Sequence, residues 1–119
     1  MALLYEAEAK GVAPANVLDE LPVPPDPFAA SLVIGVTTRG AEIDNLIEKH
    51  AIGWALDRMP AVDRAILRLA VYELVALDDV PTAVVLSEAV ELAGAYSTDE
   101  SSRFVNGVLA SVAAEVRPR

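Results

Sequence analysis

The sequence predicts an all-α fold, a bundle of helices packed on helices. Three observations predict it. The chain is 54% hydrophobic but only 5% aromatic, so its core is filled by Ala, Val, Leu and Ile, a composition that favours helices packed on one another. Apolar residues recur three and four positions apart in one segment after another. Proline and glycine stand at the segment ends, where helices stop and start. At 119 residues the chain is long enough for one domain with one core.

"MALLYEAEAKG" opens the chain as a short helix, with Leu3, Leu4 and Ala7 facing inward and Glu6, Glu8 and Lys10 outward. Gly11 closes it. This helix begins one residue after Met1 with no capping residue, and it reads as the remnant of a longer one. Prolines 14, 22, 24, 25 and 27 make the next stretch a connector, with one helical turn at Asn16 to Glu20. From Pro27 to about Thr38 the spacing predicts a helix carrying Phe28, Leu32, Ile34 and Val36, with Gly40 as its stop. A second helix starts at Ala41 and turns Ile43, Leu46 and Ile47 inward, leaving Glu42, Asp44 and Glu48 outside. "HAIGWALDRMP" is a short turn between Gly53 and Pro60 that carries Trp54, Leu56 and Met59.

"PAVDRAILRLAVYELVAL" is the strongest helix. Pro60 sits where a first-turn proline belongs. Val62, Ile66, Leu69 and Leu77 trace one stripe, and Ala65, Leu67, Val71 and Leu74 carry the apolar surface round the axis. Such a helix belongs in the middle of a bundle. "DDVP" breaks the chain, because Pro81 cannot continue a helix. "TAVVLSEAVELAGAY" resumes it, with Val85, Ala89, Leu92 and Ala93 inside. "STDES" starts the last helix. Ser97 or Thr98 caps it, and Ser97 with Glu100 has capping-box spacing. That helix runs to about Val116, straight through Asn106-Gly107. A glycine inside a helix is expected where another backbone passes close by, too close for a Cβ.

The side chains exclude several chemistries. With no cysteine there is no disulfide, thiolate metal site or cysteine nucleophile. His50 is the single histidine and sits in no metal-binding spacing, so it reads as an exposed helix-end residue and no metal is expected. Glu88 with Glu91, and Asp78 with Asp79, are paired carboxylates with no nucleophile beside them, so no catalytic residue is assigned. The six glycines follow no phosphate-cradling pattern, so no nucleotide cofactor is expected. No secretion signal and no apolar run of about 18 residues occur, so a cytoplasmic protein away from membranes is expected. Arg68 and Glu73 are five apart on an apolar helix and so reach for other helices, with Glu88 or Glu91 as candidate partners of Arg68. Arg64 and Arg103 read either as solvated surface arginines or, one or both, as flanking a binding face that includes Phe104. The net charge of −9 opposes nonspecific nucleic-acid binding by the chain alone and suits a basic partner.

The order of "ALLYEAEAKG", "RMPAVDRAILRLAVYEL" and "DVPTAVVLSEAVELAGAYSTDESSRFVNGVLA" resembles the NusB family of bacterial transcription antitermination factors, its actinobacterial members most. The resemblance covers nearly the whole chain. It implies one all-α domain of two packed helical subdomains, residues 1–58 and 59–119. It implies a noncatalytic protein that binds boxA RNA of ribosomal RNA leader transcripts together with the ribosomal protein NusE, within the RNA polymerase antitermination complex. Matched residue by residue, Glu100 and Phe104 fall on the RNA and partner face, Asp63 and Arg64 on the neighbouring helix, and Tyr5 on the partner side. Arg103 and Asn106 join this set by their place on the same helix, not by the match. Family members begin with an arginine-rich segment ahead of "ALLYEAE", which this sequence lacks, so weak RNA binding by the chain alone is expected. The alternative reading is a helical interaction or dimerisation module, a homodimer, that has lost autonomous RNA binding. A third, the accessory domain of a ribosomal RNA methyltransferase, leaves no room for a methyl-donor domain.

Overall fold

A computed structural model describes residues 27–118. The expected first helix, the proline connector up to Pro25 and Tyr5 lie outside the described residues. Among those described, five α-helices and one 3-10 turn follow in order: α1 Pro27–Thr38, α2 Gly40–His50, the turn Leu56–Arg58, α3 Ala61–Ala76, α4 Thr82–Tyr96 and α5 Asp99–Val116. The expected all-α class and the limits of four of the five helices agree with this closely.

α1 buries only Val33 and Val36 and leaves Phe28 and Ile34 exposed. It lies close against α3, because a Cβ at Gly35 would run into the ring of Tyr72. The junction with α2 corrects one expectation. Gly40 does not end α1 in a left-handed cap; the one described residue with positive φ is Gly53, at 84°. Arg39 makes the bend instead, at φ −102° and ψ 21°, and Gly40 is already the first residue of α2. The amide of Arg39 still closes α1 on the Gly35 carbonyl at 3.0 Å, so the chain turns without a glycine conformation. Gly53 is the residue that needs one, in the exposed turn where Trp54 N–H bonds the Ala51 carbonyl.

α3 is the central helix and packs on all four others. Its buried face is Ala65, Ile66, Leu67, Ala70, Val71 and Leu74. Val62, Leu69 and Leu77, expected on the main stripe, are half-buried at its margins. Pro60 stands just before the helix, at φ −56° and ψ 143°, and not in its first turn. Its ring has no N–H to donate, so it suits this position as well. Where α3 ends, the guanidinium of Arg117 reaches back from the end of α5. It donates to the carbonyls of Glu73, Leu74, Leu77 and Val80 and to Thr82 Oγ1, over 2.6 to 3.1 Å.

α4 and α5 are joined by Ser97 and Thr98 alone and pack along each other. Val85, Ala89 and Ala93 meet Val105, Val108, Leu109 and Val112 in the core. Thr98 is the cap of α5, its hydroxyl accepting from Ser101 N–H at 3.0 Å. The capping box expected between Ser97 and Glu100 does not form. With Thr98 as cap, the residue three on is Ser101, while Ser97 bonds the Ser101 hydroxyl at 2.9 Å and Glu100 is exposed. α5 is continuous through Asn106-Gly107, as expected. The close backbone expected at Gly107 is not found: the residue is exposed, and beyond its own turns of helix no described atom lies within 4 Å of a Cβ placed there. Relative to Ala, this glycine costs α5 about 1 kcal/mol and relieves no crowding among the described residues.

Among the described residues, three ionic contacts tie one helix to another. Arg68 pairs with Asp44 of α2, at 2.9 and 3.2 Å, and not with Glu88 or Glu91. The reason is packing: α2 lies on that side of α3, and Glu88 and Glu91 are exposed on the outer face of α4. Glu115 of α5 holds Lys49 at 2.6 Å and His50 at 3.0 Å. His50 is thus half-buried against α5 and not the exposed helix end expected. Glu73 is half-buried, and burial raises its pKa; the charge of Glu88 raises it further and Arg117 opposes this.

Candidate functional site

The first turns of α3 and α5 meet at one corner. Asp63 is the third residue of α3 and Ser101 the third of α5. Ser101 Oγ donates to Asp63 Oδ2 at 3.0 Å. Asp63 is 2% exposed, and its other oxygen, Oδ1, is buried with no hydrogen-bond partner. Two helix N-termini, each with a positive dipole end, give this carboxylate a favourable field but no second donor. Ser101 is held by hydrogen bonds to Asp63, Thr98 and Ser97.

Beside it stand two aromatic rings. Trp54, from the turn after Gly53, meets Phe104 of α5 edge to face, with centroids 6.1 Å apart and planes at 62°. Trp54 is 53% exposed and Phe104 half-buried. Together with Met59, Asp63, Glu100 and Ser101 the rings line a shallow pocket of about 250 Å³. Two aromatic walls suit a flat, apolar-faced group. The pocket's two hydroxyls are both engaged, Ser101 donating to the Asp63 carboxylate and Thr98 accepting from the Ser101 amide, and neither is bonded to a histidine.

The expected site residues separate into three groups. Asp63, Glu100 and Phe104 share the pocket. Arg103 and Asn106 are exposed on the adjoining turns of α5. Arg64 lies behind the pocket, its Nη1 donating to the carbonyls of Leu56 at 3.0 Å and Met59 at 2.7 Å. It braces the turn that presents Trp54, and it also lines an open cleft of about 550 Å³ with Glu48, Asp57 and Arg68. Tyr5 lies outside the described residues. Sequence reasoning missed Trp54 and Ser101 as members of the site. The signals were there: the one tryptophan of the chain directly follows a glycine, and Ser101 is three residues after Thr98. Among the described residues no three His, Asp or Glu side chains gather as a metal site would require, and no helix is long and apolar enough to cross a membrane.

Residues 3–114 match the model of the NusB family. A transcription antitermination protein NusB from Acidothermus cellulolyticus is 52% identical over 118 residues, which is 94% of this chain and 80% of that protein. Its counterpart from Saccharopolyspora erythraea is 51% identical, over 93% of this chain and 79% of that protein. Among solved structures, T. maritima NusB superposes with a TM-score of 0.87 at 35% identity, covering 98% of this chain and 87% of that one. A chain from the crystal structure of antitermination factors NusB and NusE in complex with dsRNA superposes with a TM-score of 0.79 at 31% identity, covering 95% of this chain and 89% of that one.

Proposed function

This chain belongs to the NusB family, and we propose that it is a transcription antitermination factor that binds boxA RNA of ribosomal RNA leader transcripts together with NusE, without catalysing a reaction. One observation carries the reading: the fold is superposable over 95% of the chain on a component of a solved NusB–NusE–RNA assembly. Its work on transcripts places it in the cytoplasm, within the RNA polymerase antitermination complex.

The pocket at the α3–α5 corner is where a base would seat. A base stacks on an aromatic face at about 1–3 kcal/mol. Asp63 stands at the inner end of the pocket, and the aromatic rings rather than its buried oxygen would hold the base. Glu100 at the rim keeps phosphate away from the pocket and favours the base over the backbone. The net charge of −9 leaves little counterion release to drive binding by this chain alone, so a basic partner supplies most of it. NusE fills that role, and affinity is shared between the two proteins.

The test mixes the protein with NusE and a fluorescent boxA RNA and follows anisotropy over a salt titration. The expected result is selective binding of boxA over a scrambled RNA by the pair, and weak binding by the protein alone. Equal binding of both RNAs by the pair would refute the reading. Self-association with no capture of NusE would favour the dimerisation module.

A further inference from the structure

The segment between α2 and α3 supplies the pocket wall that α5 does not. Of residues 51–60 only Ala51, Leu56 and Met59 are buried. Trp54 stands between the first two, 53% exposed, directly after Gly53 with its φ of 84°. The segment's own backbone bonds are local: Trp54 N–H to Ala51 O at 3.0 Å, Arg58 N–H to Ala55 O at 3.0 Å and Met59 N–H to Leu56 O at 3.3 Å. Arg64, the fourth residue of α3, ties it to the bundle. Its Nη1 donates to Leu56 O at 3.0 Å and to Met59 O at 2.7 Å, gripping the 3-10 turn at both ends. The side chain is half-buried and lines the open cleft with Glu48 and Asp57, while the aromatic pocket is lined without it. Two carboxylates in that cleft repel a phosphate.

We propose that Arg64 is a positioning residue: it acts on RNA binding through Trp54, whose turn it fastens to α3, and does not itself touch the RNA. The inference rests on the antitermination reading and gives a different role to a side chain that family resemblance places among the binding residues. An exposed ring on a short turn is ordered only if the turn is anchored. Here the anchor holds Trp54 edge to face on Phe104, with centroids 6.1 Å apart, before any ligand arrives. Such preorganisation raises affinity without adding a contact. With Arg64 removed, Leu56 and Met59 stay buried, but Trp54 loses its fixed direction, because the glycine beside it permits many. The competing account is a direct phosphate contact by Arg64. It requires the guanidinium to abandon two carbonyls and to bind its anion beside Glu48 and Asp57.

Trp54 is the one tryptophan of the chain, so the emission of the protein alone reports on this turn. Arg64→Met is expected to increase acrylamide quenching of Trp54 and to lower its anisotropy, with far-ultraviolet circular dichroism unchanged. With NusE and boxA RNA, Arg64→Met and Trp54→Ala are each expected to weaken RNA binding about tenfold, within the range of one lost stacking partner. The double variant is expected to lose about tenfold as well, because both changes remove the same wall, whereas independent contacts would multiply to about a hundredfold. The slope of log K against log salt should hold in Arg64→Met, whereas a lost phosphate contact lowers it by about one. A general loss of stability would weaken binding in the Trp54→Ala background too, so the double variant separates it from positioning. If Arg64→Met melts below the assay temperature, Arg64→Gln takes its place. Unchanged quenching, a reduced slope, a hundredfold loss in the double variant, or full binding by Trp54→Ala would each overturn the inference while wild-type selectivity for boxA leaves the antitermination reading standing. Absence of that selectivity in the wild type with NusE would overturn both.

Discussion

Replacing Arg117 by Met is expected to destabilise the protein by about 3 kcal/mol. The figure comes from what the guanidinium meets. The last carbonyls of a helix have no acceptor role within it, and α3 ends at Ala76 in the half-buried turn before Pro81. Arg117 Nε donates to Leu74 O at 2.9 Å, Nη2 to Glu73 O at 3.1 Å and Leu77 O at 2.8 Å. Nη1 donates to Val80 O at 2.6 Å and to Thr82 Oγ1 at 3.1 Å. Five bonds do not add as five independent terms, because one ordered side chain makes them all. Glu73 O and Leu77 O also keep other partners, the amides of Leu77 and Val80. Leu74 O and Val80 O lose a charged donor outright, at about 1–3 kcal/mol for each group left buried and unmet. The positive charge at the helix C-terminus adds about 0.3–1 kcal/mol. Water reaching the half-exposed turn offsets part of the sum.

Urea denaturation followed by circular dichroism measures the change. The midpoint should fall with the slope m unchanged, since the folded surface is the same. Arg117→Lys should recover less than half, because one ammonium keeps the charge but cannot span carbonyls from Glu73 to Val80. Added salt should alter little, because the acceptors are neutral. Stability of Arg117→Met within about 0.5 kcal/mol of wild type, the range of ordinary surface substitutions, would refute the clamp, and so would full recovery by Lys.

Gly35→Ala should destabilise by about 1–3 kcal/mol although Ala favours a helix, because its Cβ meets the Tyr72 ring and α1 must move off α3; a thermal melt reads it, and Tyr72→Leu in the same chain should restore most of the loss. Glu73→Gln should stabilise the protein at pH 7. Burial raises the folded pKa of Glu73 above its ordinary value of 4.5, so its contribution is most favourable below that value and is lost as pH rises through the folded pKa. Urea titrations at two pH values check the sign: the gain from Gln should vanish at pH below about 4. Asp63→Ala should cost less than the 3–5 kcal/mol typical of breaking a satisfied buried charge pair, because one of its oxygens already lacks a donor, yet it should reduce boxA binding in the presence of NusE.

The helices were legible where the sequence carries its own punctuation. Pro27, Pro60 and Pro81, the Thr98 cap and unbroken three-four spacing mark α1, α3, α4 and α5 to within a residue or two. What failed were statements about neighbours. Arg68 has several carboxylates in reach by sequence, and only the packing of α2 on α3 selects Asp44. Gly107 announces that helix propensity has been given up, but propensity does not say which side the reason comes from. Gly40 looks like a stop because glycine can adopt a left-handed cap, yet Arg39 turns the chain in an ordinary conformation. In the site, family resemblance supplied Asp63, Glu100 and Phe104. Trp54 was missed because its turn has no periodicity to interpret. Arg117, two residues from the chain end, has the appearance of a solvated tail.

The two ends of α3 differ in one respect that bears on function. At its C-terminus, carbonyls from Glu73 to Val80 find donors within the chain through Arg117. At its N-terminus the Asp63 carboxylate holds one oxygen that finds none. A few residues away, α5 keeps a glycine where Ala would make the free protein more stable. Sequences that fold well obey local rules nearly everywhere, and the exceptions gather where a site needs them. Both exceptions here flank Phe104. If the corner were merely imperfect packing, repairing either defect would raise stability at no loss elsewhere. If it is a docking site, each repair must cost binding. Gly107→Ala therefore decides more than its own role, because it repairs one defect without touching the pocket.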